Sequence, residues 1–307
     1  MKVQKIKRDV NDRTGIIGGS SIGAVLGLST YKSSHGVWED FTGVEKAPVD
    51  EKTQEIFDMG HELEGFIAKQ TERIFGVKLK ASNFAYVHPQ YDWLICHPDR
   101  IMVGKDEKGN TIGVEIKSSS VYDNGRWGDA DTSEIPMDYL CQCHSYMMCG
   151  VCDKVWLIRF SNNRLTRYII EKDEETEDMI LSQLVTWVDK VNSGWEPPYT
   201  DYKDACAKFK GATDNDIEAT AEINDIVEEL RAQQKIEKEA HNKTDALKAQ
   251  IVSFIGDSKK KYLMYRGKKL GSFYLTEYPK VDEKALKEAE PKIFDKYSKT
   301  VSFMQFR

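Results

Sequence analysis

Three residues near the middle of the chain, Asp99, Glu115 and Lys117, combine two acids with a base at a spacing that can build a reactive site. Fifteen residues separate the two acids, and the turn-forming segment 106–110 lies between them. Alternate side chains of a strand point to the same face, so Glu115 and Lys117 are expected to lie side by side. The segment therefore predicts a β-hairpin that carries two carboxylates beside an ammonium group.

These groups suit the binding of a hard cation and the hydrolysis of a phosphodiester. Mg²⁺ prefers carboxylate and carbonyl oxygens and usually keeps several waters. Asp99, Glu115 and the backbone carbonyl of Ile116 would leave positions open for water and a phosphate oxygen, and Lys117 could orient that water or stabilise developing charge. The alternative is a surface hairpin whose polar residues only face water, because the alternation of Val114 and Ile116 with polar residues is typical of that structure too.

The segment Pro98-Asp99, followed by Glu115-Ile116-Lys117, resembles the PD-(D/E)XK nuclease motif. More of the chain is similar to one branch of that superfamily, the lambda exonuclease and YqaJ-type viral recombinase nucleases. Four further segments match this branch in the right order, namely 13–20, 60–64, 136–144 and 154–158. Together the five segments cover roughly residues 13–160, about half of the chain.

The resemblance implies an α/β fold with a restriction-endonuclease-like core, in which helices flank a mixed central sheet. It also implies an exonuclease that depends on Mg²⁺, with Mn²⁺ as a substitute, and digests the 5′-ended strand of linear duplex DNA. Such enzymes expose a 3′ strand for phage-type recombination by annealing. The expected partners are therefore double-stranded DNA ends, a single-strand annealing protein and further copies of the chain in a ring of three.

Two helices are expected to add catalytic side chains to the hairpin. Apolar residues recur at helical spacing between 52 and 75, and Glu64 adjoins that face, where it can supply a third carboxylate. In a helix expected at 137–149, Gln142 shares a face with Tyr146, and the family takes a glutamine from this helix. The predicted catalytic residues are Glu64, Asp99, Glu115, Lys117 and Gln142, and the predicted metal ligands are Glu64, Asp99, Glu115 and the backbone carbonyl of Ile116.

The resemblance also assigns Arg13 and Ser20 to the 5′-phosphate of the DNA. Ser20 is a favourable residue type for the N-cap of a helix at 20–26, and helix starts attract anions. Arg13 could add a charge-assisted contact. The alternative for both is ordinary helix capping. His97 and Arg100 replace the small residue and the glycine that relatives have around Pro-Asp. His97 therefore contacts phosphate, tunes the metal site or is structural, and the conformation at Arg100 is left open.

The composition is that of a folded soluble protein, with 40% hydrophobic and 31% charged residues in 307. No run of eighteen apolar residues occurs, and the N-terminus has charge without an apolar segment, so we expect a cytoplasmic protein of a bacterial or phage-infected cell, without membrane contact. The net charge of −6 argues against coating nucleic acid with the whole surface but permits a basic channel.

The six cysteines have no secreted pattern and indicate a reducing compartment. The pairs Cys141-x-Cys143 and Cys149-x-x-Cys152 allow an iron–sulfur cluster, which some relatives of the fold carry, although buried structural thiols are common. Two alternative functions therefore remain: an endonuclease or iron–sulfur nuclease on the same fold, and a non-catalytic module that binds DNA ends or a protein partner. A non-catalytic binding module would have no use for three acids that face an anionic ligand.

The chain is expected to divide into a nuclease domain, 1–200, and a C-terminal extension, 201–307. The stretch from 214 to about 255 predicts a long charged helix or helical hairpin whose narrow apolar stripe packs on a partner or on the body. Residues 259–274 predict a basic, aromatic β-hairpin that either contacts nucleic acid or is solvated. The tail, 281–307, predicts a short helix and a final strand.

Overall fold

The computed structural model describes residues 4–6, 13–44, 51–82, 84–119, 125–209, 216–256, 262–272 and 281–298. The chain forms two compact units, Met1–Phe209 and Lys210–Arg307. The predicted division after residue 200 stays a prediction about domains. No helix in the described ranges is long and apolar enough to cross a membrane.

The first unit alternates strands and helices. Its strands are β1 Gln4–Ile6, β2 Ile17–Gly18, β3 Leu79–Ala81, β4 Ala85–Val87, β5 Leu94–Cys96, β6 Arg100–Met102, β7 Ile112–Ser118, β8 Lys154–Ser161 and β9 Arg164–Glu171. Its helices are α1 Gly19–Val25, α2 Ser34–Thr42, α3 Glu51–Phe75, α4 Met137–Met148, α5 Glu174–Asn192 and α6 Tyr202–Lys208. The mixed α/β fold class predicted from the sequence is confirmed.

The strands of the first unit form two mixed sheets where the sequence predicted one. One sheet has the order β1-β4-β5-β2, and the other has the order β3-β6-β7-β8-β9. Strands β2 and β5 pair in parallel, as do β7 and β8, while the other neighbours are antiparallel. Between β5 and β6 the chain passes through Pro98, which has no backbone N–H to donate to a ladder.

The predicted hairpin is formed by β6 and β7, which pair antiparallel. In the connecting turn, the Asp106 carboxylate accepts hydrogen bonds from the backbone N–H groups of Lys108 at 2.9 Å and Asn110 at 2.8 Å. Gly109 there has a φ of 84°, a conformation that glycine adopts without strain. Strand β7 then pairs with β8 on its other side, so it is an inner strand of the five-stranded sheet.

Helix α3 packs on strand β7 of the hairpin, and helix α4 packs on the neighbouring strand β8 and reaches Glu115 of β7 through the side chains of Gln142 and Tyr146. Ile67 and Ala68 of α3 share an apolar cluster with Val114 and Ile116 of β7. Helix α4 is buried over most of its length, from Cys141 to Met148. The two helices that were expected to carry catalytic groups are therefore anchored directly beside β7.

Five of the six cysteines are buried and act as apolar core residues, whereas Cys206 is partly exposed. Cys96, Cys143, Cys149 and Cys152 lie in one buried cluster, and Cys141 lies in another. Burial raises the pKa of Cys141 to about 11 and the pKa of Cys152 to about 12, so both thiols keep their protons at neutral pH. An iron–sulfur ligand is a thiolate, and these surroundings favour the thiol.

The second unit contains a long helix, a hairpin and two short helices. Helix α7, Ala221–Ile255, is a single helix of 35 residues, and its N-cap Thr220 accepts a hydrogen bond from the Ile223 N–H at 3.3 Å. Strands β10 Tyr262–Tyr265 and β11 Lys268–Ser272 pair antiparallel, as predicted. The tail has helices α8 Glu283–Ala289 and α9 Pro291–Tyr297, one more helix than predicted. The predicted final strand lies outside the described residues.

Candidate active site

A cavity of about 450 Å³ opens over the hairpin, and all eight side chains predicted to act on metal or DNA line it. They are Arg13, Ser20, Glu64, His97, Asp99, Glu115, Lys117 and Gln142. A second cavity of about 490 Å³ adjoins the first, because Glu64, Asp99, Glu115 and Lys117 line both, and Ile116 lines the second. The fold thus brings together residues from six separate segments, while their individual roles stay predictions.

Glu115 lies at the centre of a hydrogen-bond network beneath the cavity. Its side chain is 2% exposed. The Glu115 Oε1 atom accepts from Lys117 Nζ at 2.6 Å and from Gln142 Nε2 at 2.8 Å, and the Oε2 atom accepts from the Tyr146 hydroxyl. A buried carboxylate is costly unless it is paired and hydrogen-bonded, so these three donors hold Glu115 in one orientation.

Lys117 is a permanent cation at neutral pH in these surroundings. Burial alone would lower its pKa, but the negative charges of Glu115 and Asp99 outweigh burial, so the pKa of Lys117 is raised above its ordinary value. Its ammonium group also lies 4.9 Å from the centre of the Tyr139 ring, a favourable cation–π distance. Lys117 can therefore donate hydrogen bonds and stabilise negative charge, but it is a poor proton acceptor.

Asp99 lies among like charges. Its Oδ2 atom accepts a hydrogen bond from the Ile116 backbone N–H at 2.7 Å. Burial and the negative charges of Glu115 and Glu64 nevertheless raise the pKa of Asp99 well above its ordinary value, against the opposing effects of Lys117 and that N–H group. The crowded carboxylates would repel one another less if another positive charge lay among them.

The acidic groups fit a hard divalent cation in type, since their donor atoms are all oxygen. Among the described residues, no three His, Cys, Asp or Glu side chains already converge on one point as a ready metal site. The Glu64 carboxylate forms an ion pair with Arg100, and Glu115 is directed to its three donors. Glu64, Asp99, Glu115 and the Ile116 carbonyl thus stay a predicted ligand set.

Arg100 is a site residue whose contact the sequence did not reveal. It begins strand β6, so the conformation that the sequence left open is a regular strand. Its guanidinium pairs with Glu64 and also donates to the backbone carbonyl of Asp99 at 2.6 Å. Arg100 therefore ties helix α3 to the hairpin. The feature of the sequence that pointed to Arg100 was that relatives have a glycine at this position, directly after Pro-Asp.

Two glycines allow Arg13 and helix α4 to approach the start of α1. A Cβ atom at Gly18 would lie 2.5 Å from the Arg13 Nη1 atom, and one at Gly19 would collide with the Ser145 hydroxyl. The expectation that Ser20 caps α1 is wrong: the N-cap is Gly18, because the helix follows strand β2 directly, and Ser20 is exposed within the first turn. Both Ser20 and the exposed His97 still line the cavity.

Tyr146→Phe is expected to lower the free energy of unfolding by roughly 1–3 kcal/mol, because it leaves one oxygen of the buried Glu115 without its hydroxyl donor. Urea unfolding followed by circular dichroism measures this loss. Tyr168→Phe is the matched control, since the hydroxyl of Tyr168 donates to the neutral Gly128 carbonyl at 3.2 Å. We expect a smaller loss there, and equal losses in the two variants would contradict the importance of the Glu115 network.

The cavity combines the acids and the lysine of one hairpin with a further acid and a glutamine from the flanking helices. Residues 10–153 match the family model of the YqaJ-like viral recombinase domain, which confirms the resemblance seen in the sequence. The match covers just under half of the chain.

Known proteins similar to the chain include one curated relative and two solved structures. The chain is 28% identical over 324 residues to the uncharacterized protein YqaJ of Bacillus subtilis (strain 168), which covers 99% of this chain and 95% of that protein. An alkaline exonuclease from Laribacter hongkongensis is 14% identical with a TM-score of 0.46, over 59% of this chain and 90% of that one. A phage-related exonuclease from Haemophilus somnus 129PT is 16% identical with a TM-score of 0.42, over 58% and 96%.

Proposed function

We propose that the protein is a Mg²⁺-dependent DNA exonuclease that digests the 5′-ended strand of linear duplex DNA. The observation that carries this proposal is the shared cavity, where the carboxylates of Glu64, Asp99 and Glu115 lie beside the Lys117 ammonium group. A site of this composition is suited to hold a cation and a phosphate together. The family match over residues 10–153 supports the same class of reaction.

Glu64, Asp99, Glu115 and the Ile116 carbonyl would hold Mg²⁺, and Mn²⁺ would substitute for it. When bound, the cation supplies an activated water and neutralises charge on the phosphate. Lys117, fixed by Glu115, donates to the phosphate oxygens as negative charge develops on them. The amide nitrogen of Gln142 contacts Glu115 at 2.8 Å and the Tyr146 hydroxyl at 3.0 Å. We therefore propose that Gln142 holds Glu115 in its orientation.

Arg13, Ser20 and His97 would bind the 5′-phosphate of the DNA, because they line the same cavity as the carboxylates. A terminal phosphate held there would present the first phosphodiester bond to the catalytic groups. By the family resemblance, we further propose that the exposed 3′ strand passes to a single-strand annealing protein during phage-type recombination. A ring of three copies around the DNA and a cytoplasmic location belong to the same proposal.

A linear duplex with either a 5′-phosphate or a 5′-hydroxyl end tests the proposed function. With Mg²⁺ the chain should digest the phosphorylated strand faster, and without Mg²⁺ it should digest neither. Arg13→Ala should lower kcat/KM for the phosphorylated end by about 10- to 100-fold, the value of a hydrogen bond to a charged group, and remove the preference. Release of a label from each strand measures polarity. Lys105→Ala, which removes an exposed lysine outside the cavity, is the control.

Closed circular DNA separates the alternatives. The proposed exonuclease should leave it intact, whereas cleavage of circles would favour the endonuclease alternative. Binding of DNA ends with no hydrolysis in Mg²⁺ or Mn²⁺ would favour the non-catalytic module. If Arg13→Ala digests both kinds of end at the wild-type rate, the proposed phosphate site is wrong even if the exonuclease activity is present.

A further inference from the structure

Helix α7 carries an apolar stripe that is exposed in the structure. Six of the eight large apolar residues that are exposed on α7 form it, and their exposed fractions range from 37% to 81%. They are Ile223, Ile226, Leu230, Leu247, Ile251 and Phe254. No residue of this helix is buried. Since helices in proteins gain most of their stability from packing an apolar face, a helix of about 50 Å with such a stripe calls for a partner.

The two ends of the stripe have the spacing of a coiled coil, and the positions that continue the repeat between them are Gln233, Glu237, Ala240 and Thr244. Ile223 and Leu230 are seven residues apart, as are Leu247 and Phe254, and Ile226 lies 21 residues before Leu247. A straight α-helix turns a strict seven-residue repeat away by about 20° per repeat, so over the four repeats from Ile223 to Ile251 the stripe would drift by about 80°. A left-handed supercoil keeps it on one line, which a partner helix provides.

The six residues of the stripe are also placed symmetrically about the middle of the helix. Ile223 and Phe254 are equally far from the midpoint between residues 238 and 239. The same is true of Ile226 with Ile251 and of Leu230 with Leu247. When two copies of α7 run antiparallel about this midpoint, each of the six residues therefore meets another of the six in the partner helix.

The charges along α7 favour antiparallel over parallel pairing. Residues 221–230 contain four acids and no base, whereas residues 231–250 contain five bases and three acids. A parallel pair would place the two acidic starts side by side. An antiparallel pair places each acidic start beside the end of its partner, where Lys243 and Lys248 lie, and it also opposes the two helix dipoles.

We propose that α7 is a dimerisation element, which pairs with α7 of a second copy of this chain in an antiparallel coiled coil centred between residues 238 and 239. The pairing is independent of the nuclease activity, because it uses residues of the second unit alone. It joins two copies directly, and it would join two rings if the first unit assembles into rings.

Cysteine cross-linking of full-length protein tests the direction of the pairing. One preparation carries Ile226→Cys and a second, of different tag length, carries Ile251→Cys. Mild oxidation of the mixture should link the two preparations to each other, while each preparation alone should form few links. Links within each preparation alone would indicate a parallel pair and overturn the proposal. The unsubstituted chain is the control for its own cysteines.

Light scattering tests the pairing itself. Leu230→Glu combined with Leu247→Glu should halve the mass of the assembly at concentrations where the unsubstituted chain is fully paired, with at least about 100-fold weaker association. Ala232→Glu combined with Ala249→Glu adds the same charges outside the stripe and should leave the mass unchanged. Circular dichroism verifies folding. Equal masses for all three proteins, or loss of folding without cross-links between copies, would overturn the proposal.

Discussion

Lys117→Ala is expected to lower kcat for digestion of a linear duplex by at least 10²- to 10³-fold, the usual effect of removing one group that stabilises charge in a transition state. The reason lies in the raised pKa of Lys117, since Glu115 and Asp99 keep its ammonium group charged at neutral pH. The rate of nucleotide release in saturating Mg²⁺ measures the effect. The change should appear in kcat more than in KM, because the charge matters most while the bond is breaking.

Lys154→Ala is the matched control for this experiment. Lys154 is also largely buried, and it pairs with the Glu171 carboxylate at 2.7 Å in the same sheet, but it does not line the catalytic cavity. Its removal should cost stability and leave kcat nearly unchanged. Comparable losses of kcat in both variants would mean that any buried lysine of the sheet supports activity through folding alone. The proposed catalytic role of Lys117 would then be wrong.

The sequence predicted the elements around the cavity well because their signals are local. The hydrophobic periodicity of α3 and α4 and the turn at 106–110 located the helices and the hairpin within one to two residues. The shared face of Glu115 and Lys117 followed from the two-residue period of a strand, and the nearness of Asp99 followed from the predicted hairpin. The prediction that Glu64 and Gln142 belong to the site, by contrast, required both a choice of helix face and the family resemblance.

Contacts between distant segments could not be predicted from those signals. Arg100 pairs with Glu64 across 36 residues, and the Tyr146 hydroxyl reaches Glu115 across 31. Neither pair follows a period of a helix or a strand, so only the packing of α3 and α4 on β7 brings the partners together. The division of the strands into two sheets depends on pairing in space in the same way.

Asp99→Asn is expected to abolish digestion and, at neutral pH, to stabilise the fold. Asparagine keeps an oxygen that can accept the Ile116 N–H hydrogen bond, but it removes a charge that Glu115 and Glu64 repel. The pKa of Asp99 is raised in the folded state, first by burial and then by these two acids. The loss of activity should be at least about 10²-fold, because a predicted metal ligand is removed.

The sign of the stability change follows from proton binding. A carboxyl group with a raised pKa holds its proton more tightly in the folded than in the unfolded chain, so stability falls as the pH rises from the unfolded pKa, about 3.9, through the folded pKa. Above that range the full cost is present. Asp99→Asn should therefore raise the midpoint of thermal unfolding by a few degrees at pH 7, and the difference should shrink as the pH falls towards the unfolded pKa.

Asp106→Asn provides a control of opposite sign. Hydrogen bonds from Asn110 lower the pKa of Asp106, so the ionised form of Asp106 stabilises the turn, and its replacement should lower stability at neutral pH without affecting kcat.

Added Mg²⁺ should raise the unfolding midpoint of the unsubstituted chain and of Asp106→Asn, because a ligand that binds only the folded state stabilises it. It should have much less effect on Asp99→Asn. If Asp99→Asn is instead destabilised at pH 7 and responds to Mg²⁺ as the unsubstituted chain does, then Asp99 is a structural hydrogen-bond acceptor, and the cation binds elsewhere.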